Sequence, residues 1–411
     1  MKSITMQRFW SRLLLIVASL VSASLHAQQD DAAGSSFADD LVEGTRLHAA
    51  LETGVNYTDN FFYARNTSND ERATGLIVQP EALLTHVVPR FKFFGGANGE
   101  FAWFDLPGNV DDYIDHEFKL GSEWQPAFRH RFAFTSGIKN DHNPFGTERT
   151  ENTALEDREI DEWQQTLANV SYHYGLPSDR YNLELRAGGQ NKEYSNNREV
   201  TQYLDYEIAS AQIFGFYNIG PKTSVYATVA AQRSYYEEIA PGAFDRGANT
   251  VRYLLGGRWL ATGKTSGDIV LGYVTRNAND PDRDEFRRLD WQAEITWAPR
   301  PVREFKLTTG RRSQESFLNT VDFIDNRYAG ITWSEQWTAR LQTQLGGRYV
   351  ESAFIGSTRV DDTVGYKLSG EFRVTQYLKL LGHVSNDQRD SDVNFANYDR
   401  LYAYLGARYA R

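Results

Sequence analysis

The chain of 411 residues has no cysteine, only two methionines and, beyond its first thirty residues, no long apolar run. The lack of cysteine excludes disulfide frameworks, Cys-ligated zinc, iron–sulfur clusters, thiol nucleophiles and a lipid-modified N-terminal cysteine. The lack of apolar runs excludes a bundle of membrane-spanning helices, each of which needs about 20 such residues. Acidic residues outnumber basic ones by 54 to 44. This balance argues against a general nucleic-acid-binding protein, which carries a basic surface.

The N-terminus has the form of a secretory signal peptide. Lys2, Arg8 and Arg12 precede an apolar segment at residues 13–21, and small residues follow it up to Ala27. Such a segment is too short to span a membrane and is typically removed after export. We therefore predict a signal peptide at residues 1–27; an uncleaved N-terminal anchor is the alternative.

From residue 46 onward, apolar and polar residues alternate with period two, which indicates strands with one apolar face. One run has apolar residues at Leu289, Trp291, Ala293, Ile295 and Trp297, with Asp290, Gln292, Glu294 and Thr296 between them. The runs are about ten residues long, which is the length a tilted strand needs to cross a bilayer. Strands of soluble sandwiches are usually shorter, near 5–6 residues.

The connections between these runs alternate between short and long. Eight short connections carry Pro, Gly or small polar residues, and nine long ones are polar and charged. Short turns on one side and long loops on the other are typical of outer-membrane barrels. The sequence predicts an all-β fold: a transmembrane antiparallel β-barrel of about 18 strands at residues 46–411, with 16 strands as the alternative. Residues 28–45 are predicted to be a short periplasmic lead-in, and the predicted location is the outer membrane of a Gram-negative cell.

Three segments resemble strands of the putative beta-barrel porin type 2 family. They are GVNYTDNFF at residues 54–62, LLGGRW at 254–259 and LGGRYV at 345–350. Members of that family are often encoded beside exopolysaccharide genes, so the resemblance implies a route for a polymer across the outer membrane. It carries over no catalytic residue and no cofactor.

The alternation also predicts which side chains line the pore, on the assumption that each apolar face contacts lipid. Eight candidates are basic and lie in the C-terminal half of the chain: Arg252, Arg258, Arg288, Arg312, Arg340, Arg348, Lys367 and Arg373. Two candidates are acidic: Glu184 in the N-terminal half and Glu294 in the C-terminal half. Two interpretations stay open. These groups form ion pairs that fill a narrow barrel, or they form a polar surface that solvates a sliding sugar polymer or selects anions.

Residues capable of catalysis or metal binding are present but do not form a recognisable motif. His116, His173 and His383 are the candidate bases, with Ser385 near His383, and Asp141 adjoins His142; no third catalytic group is identifiable. The acidic run of residues 280–285 lacks the glycine and the final glutamate of a calcium loop. The sequence therefore predicts no enzyme and no cofactor, although loose calcium bridging between outer loops and lipopolysaccharide phosphates stays open.

The expected function is an outer-membrane pore, as a passive conduit for exopolysaccharide export or, alternatively, as a general or weakly selective diffusion porin for small solutes. A plugged barrel whose surface loops bind other molecules is a third hypothesis. The expected partners are outer-membrane lipid and lipopolysaccharide, the barrel-assembly machinery, an exopolysaccharide and periplasmic export proteins. No nucleic acid is expected.

Overall fold

The computed structural model describes residues 43–65, 72–106, 112–151, 159–220, 222–262 and 264–411, which form one antiparallel sheet of 18 strands. Consecutive strands pair with each other, and β1 also pairs with β18, so the sheet closes on itself. The predicted barrel is confirmed, with 18 strands rather than 16. The strands are β1 Gly44–Thr58, β2 Ala73–Val88, β3 Phe91–Phe104, β4 Tyr113–Ala127, β5 His130–Asn143, β6 Asp161–Tyr174, β7 Tyr181–Tyr194, β8 Tyr206–Gly220, β9 Thr223–Tyr235, β10 Ala248–Thr262, β11 Thr265–Ala278, β12 Phe286–Arg300, β13 Arg303–Gln314, β14 Phe323–Gln336, β15 Leu341–Ile355, β16 Val360–Arg373, β17 Leu378–Ser391 and β18 Tyr398–Ala410.

The alternating sequence gives the barrel an apolar outer face and a polar inner one. On β12, Leu289 is 62% exposed whereas Asp290 is 5% exposed, because successive side chains point to opposite faces of a strand. The strands are 12 to 16 residues long, which exceeds the span of about 9–11 residues that a bilayer requires. In the parts of the chain that the structure describes, no helix is both long and apolar enough to cross a membrane.

Aromatic side chains gather on the outer face near the short turns. The rings of Trp297 and Phe305 stack at 5.2 Å, and Phe305 stacks on Trp333 at 6.4 Å. On the other side of the barrel, Trp124 stacks on Phe132 at 5.5 Å. Amphipathic rings at this depth form the girdle that anchors a barrel at the membrane interface.

The connections separate the two ends of the barrel. Turns of two to six residues lie at the end that also carries both ends of the sheet, Gly44 and Ala410. Loops of four to 17 residues lie at the other end, which is extracellular in outer-membrane barrels. The connection between β15 and β16 is not one of the nine long loops that the sequence predicts, because both strands continue and leave only residues 356–359, with Gly356 at φ +93°. Four short helical turns of the described residues lie within the long connections: Glu148–Thr150, Arg198–Thr201, Gln202–Leu204 and Asn394–Ala396.

Two predicted segments lie wholly or mostly outside the described residues. These are the signal peptide at residues 1–27 and all but the last residues of the lead-in at 28–45. The first strand begins at Gly44, two residues before the predicted start of the barrel.

Candidate functional site

The lumen is the candidate site, and the structure places nine of the ten predicted pore-lining residues on its inward parity. They alternate with exposed apolar residues; Glu184, for example, precedes Leu185, which is 40% exposed. Arg340 is the exception. It lies in the turn between β14 and β15, where it is exposed, because the alternation of β15 begins only at Leu341.

Paired charges form a ring in the lumen near the short turns. Arg258 Nε lies 2.8 Å from Asp268, Lys306 Nζ 2.8 Å from Glu294, and Lys379 Nζ 2.8 Å from Glu371. Arg186 bonds Glu184 at 2.7 Å on the neighbouring wall. The side chains of these pairs are between 16% and 44% exposed, so solvent screens them and each pair stabilises the barrel little, by about 0–1 kcal/mol.

Aromatic side chains interleave with this ring on β8 and β9. Phe214 and Phe216 stack at 5.7 Å, and Tyr226 donates a hydrogen bond of 2.6 Å to Asp268. The guanidinium of Arg186 lies 4.7 Å above the Phe214 ring. The inner wall here therefore presents ring faces as well as charges.

A second group of charges fills a seam in the sheet rather than the open lumen. The ladder between β12 and β13 ends at the Gln292–Gly310 pair, although both strands continue toward the loops. Arg288 Nη1 lies 2.7 Å from Asp325, and Arg311 donates to the carbonyl of Leu289 at 3.4 Å. The side chain of Arg288 is 3% exposed. Arg288 thus stabilises the seam and is not open to a solute, contrary to the sequence-based prediction that it lines the pore.

The remaining predicted basic residues are of two kinds. Arg252 lies 3.4 Å from Asp290 and Arg348 lies 2.6 Å from Asp387, so each faces a carboxylate. Arg312 lies above the ring of Tyr328 at 5.6 Å instead. Within the described residues, neither Lys367 nor Arg373 forms an ion pair, so these two and Arg312 are the basic groups most available to an anion.

The loop between β5 and β6, residues 144–160, crosses the extracellular end of the lumen; we call it the crossing loop. Its described parts are residues 144–151 and 159–160. Glu151 accepts bonds of 2.8 and 3.2 Å from Arg359 and lies 2.8 Å from Arg389. These arginines belong to the wall of β15 to β17, seven to nine strands from β6 in a ring of 18. The loop therefore connects opposite walls and narrows the opening.

Buried charges hold the crossing loop in place. The side chains of Glu151 and Arg359 are 4% and 5% exposed, and Arg359 also donates to Asp361 at 2.9 and 2.6 Å. Burial by itself lowers the pKa of Arg359, but the hydrogen bonds to Asp361 and Glu151 outweigh it and raise that pKa. Arg359 therefore stays charged. We call the contact between Glu151, Arg359 and Arg389 the latch.

Glu148 of the same loop is in a different situation. Burial raises its pKa above the ordinary value, and although Lys192 opposes this, Asp161 and Glu151 add to it. Asn143 Nδ2 donates a 2.7 Å bond to the carboxylate. A buried carboxylate with a raised pKa makes the loop position sensitive to pH.

The loops on the opposite side of the mouth are also joined by arginines. Arg246 donates to the carbonyl of Ser316 at 2.6 Å and to that of Tyr203, and Arg276 bonds Glu315 at 3.1 Å. Burial lowers the pKa of Arg246, with Tyr236 and Glu315 opposing the shift. Arg246 thus links its own loop to two others through their backbone carbonyls, without a local sequence signal.

Two cavities remain beside the crossing loop. One has a volume of about 220 Å³ and lies against β1 to β4, β17 and β18. The other has a volume of about 170 Å³ and lies between Thr147, Glu148 and Glu151 of the loop and the wall of β13 to β17. The crossing loop therefore divides the extracellular end of the lumen into two smaller spaces.

The histidine candidates do not converge. His116, His173 and His383 belong to β4, β6 and β17, and His383 stacks between Tyr402 and Tyr404 at 5.4 and 5.3 Å. In the described residues, no hydrogen bond joins His383 to Ser385. The chain thus brings together no base and nucleophile pair from these candidates.

Among the described residues, one group could hold a metal ion, and it does not include the acidic run at 280–285. Ligand atoms of Asp115, Asp141 and His142 lie within 4.8 Å of one another. However, Lys139 bonds Asp141, and His142 Nδ1 bonds Asp115 at 3.0 Å. In the run at 280–285, the side chain of Asp280 accepts the backbone N–H of Asp282 at 2.9 Å, which forms a local turn.

Glu151 and Arg359 were not predicted as functional residues. They are 208 positions apart, and each stands in a polar loop with no distinguishing motif. Only the closure of the barrel brings them together.

Comparison with known proteins assigns the fold and the family. The model of the family Putative beta-barrel porin 2 matches residues 148–411. Among curated proteins, none matches the chain. The solved structure of Pseudomonas aeruginosa OccK2 (OpdF) is similar at 11% identity and a TM-score of 0.50, over 90% of this chain and 99% of that one. At so low an identity, the likeness shows the fold alone.

Two further structures have lower scores and support no inference. The FrpB iron transporter from Neisseria meningitidis (F3-3 variant) matches at 9% identity and a TM-score of 0.48, over 83% of this chain; the chain spans 62% of that transporter. A bacterial polysaccharide outer membrane secretin matches at 9% identity and a TM-score of 0.35, over 88% of this chain and 97% of that one.

Proposed function

Because the chain belongs to the Putative beta-barrel porin 2 family, it is an outer-membrane barrel pore, and we propose that it is a passive conduit through which an exopolysaccharide leaves the cell. The polymer enters at the short turns and leaves past the crossing loop. We also propose that periplasmic export proteins deliver it to the turn side.

The observation that carries this proposal is the ring of exposed charge pairs near the turns. Lys306 and Glu294 are 38% and 44% exposed, so exchanging one partner for a sugar hydroxyl costs little. Transport requires contacts that are numerous and individually weak, because tight binding at one position stalls a permeating molecule. The ring faces of Phe214 and Phe216 add apolar contacts for the faces of sugar rings.

The extracellular end has the opposite character. The latch is buried, and removing one member of a buried ion pair costs about 3–5 kcal/mol. A polymer therefore contacts weak, exposed ion pairs at the turn end and a loop held by a buried ion pair at the exit. This arrangement suits a conduit that opens when polymer is present and otherwise restricts leakage.

The second candidate is a diffusion porin for small solutes. It is favoured by the crossing loop, which leaves spaces of only about 220 and 170 Å³ beside it. Such spaces admit a small solute but require the loop to move before a polymer passes.

Deletion of the gene in the native host tests the proposal. We expect secreted polysaccharide to fall severalfold and periplasmic polysaccharide to rise, and plasmid expression should restore both. A matched strain expressing a chain with Leu368→Arg provides a control, because a charge on the lipid face costs about 2–4 kcal/mol near the membrane centre and blocks assembly. Unchanged secretion together with loss of small-solute uptake would favour the diffusion porin.

A further inference from the structure

The larger cavity combines aromatic rings with hydrogen-bond acceptors beside the crossing loop. Its volume of about 220 Å³ is below the range of about 300–1,000 Å³ typical for drug-sized ligands. Glu52 on β1 and Glu100 on β3, with β2 between them, line the cavity. Residues of the first loop lie on its other side, and Pro144 and Phe145 of the crossing loop also line it. It therefore lies on the path that a permeating molecule takes beside that loop.

The two carboxylates are fixed in place and retain acceptor capacity. Glu100 accepts from Gln79 Nε2 at 2.5 Å and from the hydroxyl of Tyr113, and Glu52 accepts from the hydroxyl of Tyr404 at 2.8 Å. A carboxylate has about four lone-pair sites. The described donors to Glu100 occupy two of them, so further donors can bind.

An aromatic stack lies beside these carboxylates. His383 is parallel to Tyr402 and Tyr404 within 23° and 28°. Asn56 Nδ2 donates to the Tyr402 hydroxyl at 3.3 Å, which leaves the hydrogen of that hydroxyl to donate elsewhere. Carboxylate and hydroxyl groups beside aromatic rings match a sugar ring, which carries hydroxyl donors at its edge and an apolar C–H face.

The charge of the lining decides which sugar fits. Glu52 and Glu100 contribute carboxylates, and Arg400 is the one arginine or lysine of the lining within the described residues, beside the imidazoles of His142 and His383. His142 Nδ1 bonds Asp115 at 3.0 Å, and Arg408, outside the lining, lies 3.7 Å from Glu52. Arg400 is itself engaged, donating to Thr58 at 3.1 Å and to the Tyr63 hydroxyl at 2.7 Å. A uronate would meet two like charges here, whereas a neutral sugar would meet two acceptors.

We propose that this cavity is a subsite for one neutral hexose or N-acetylhexosamine residue of a passing glycan. The assignment rests on the proposed function in taking the ligand to be part of a polymer. It predicts that neutral sugars dwell at this position and that acidic sugars do not.

Blocking of ion current through the purified full-length barrel in planar bilayers tests the subsite. The probes are the hexamer of N-acetylglucosamine, maltohexaose and hexagalacturonate. We expect at least one neutral hexamer to block at a lower concentration than hexagalacturonate. The double substitution E52Q/E100Q should raise the half-blocking concentration of that neutral hexamer roughly tenfold, because the sugar then loses hydrogen bonds to charged groups.

Two further variants separate binding from misfolding. Tyr402→Phe keeps the ring and removes only a hydroxyl, and it should raise the half-blocking concentration severalfold. The control E123Q removes an inward carboxylate of β4 that lies outside both the cavity and the ring of charge pairs, and it should leave the block unchanged. Tighter block by hexagalacturonate, or block that is equal in E52Q/E100Q, Tyr402→Phe and the unmodified protein, would overturn the assignment.

Refutation of the subsite can be distinguished from refutation of the proposed export function. If deletion of the gene leaves secretion intact while E52Q/E100Q still weakens the block, the export proposal fails and the subsite stands. If deletion traps polymer while E52Q/E100Q has no effect on the block, export stands and the subsite is refuted.

Discussion

Replacing Glu151 with alanine should release the crossing loop and widen the pore. Glu151 is the loop's ionic link to the opposite wall, through bonds of 2.8 and 3.2 Å from Arg359 and a 2.8 Å contact to Arg389. All three side chains are at least 86% buried. The substitution leaves two buried arginines with Asp361 as their nearest carboxylate.

The size of the effect follows from that burial. Removing one member of a buried ion pair costs about 3–5 kcal/mol, and each 1.4 kcal/mol is about tenfold in an equilibrium. The cost falls on the state in which the loop is docked, because the undocked loop exposes both partners to water. The ratio of docked to undocked loop should therefore fall roughly a hundred- to a thousandfold.

Single-channel recording in planar bilayers is the assay. We expect Glu151→Ala to raise the mean conductance or to introduce frequent transitions to a larger one. Glu159→Gln is the matched control, since Glu159 lies in the same loop but is exposed. Conductance equal to that of the unmodified protein, in a variant that keeps its heat-modifiable migration on gels, would refute the latch.

Three other predictions concern the wall and the loop. Leu368→Arg should prevent assembly whereas Ser369→Arg should not, as measured by heat-modifiable migration, because Leu368 is 57% exposed on the outer face; equal yields would contradict the register. Because its pKa is raised in the docked loop, Glu148 favours docking at acidic pH and opposes it as pH rises through that pKa. Conductance should thus increase with pH, and Glu148→Gln should abolish the increase; a pH dependence that survives the substitution would contradict this assignment. Changing Arg312 and Arg348 to Gln should reduce anion preference in reversal-potential measurements, with most of the effect from Arg312, since Asp387 neutralises Arg348; cation preference in the unmodified protein would contradict it.

The barrel was predictable because its signals are local. The period-two alternation of β12 and the regular spacing of turns require only neighbouring residues, and closure with 18 strands follows from counting them. The turn between β14 and β15 lies at residues 337–340 and includes Arg340, which the alternation predicts to line the pore. The residues of this turn are mostly polar, so the alternation of polar and apolar residues shows no clear end at the strand. The inward parity of β15 therefore extends to Arg340, although Arg340 lies in the turn.

The site was predictable only in part, because its contacts join distant segments. Parity identified Arg258, Glu294 and Arg348 as inward residues, but it could not show that the β12–β13 ladder stops at Gln292 and that Arg288 fills the gap. The latch joins Glu151 to Arg359 across the barrel. Such pairing depends on closure and loop conformation, which alternation does not encode.

Release of polymer from proteoliposomes tests the conduit most directly. Vesicles that contain the purified barrel are loaded with labelled exopolysaccharide from the host and with a labelled small sugar, and release of both is followed over time. The proposed function predicts release of the polymer, faster with Glu151→Ala than with Glu159→Gln. Retention of the polymer in every variant while the small sugar escapes would contradict it.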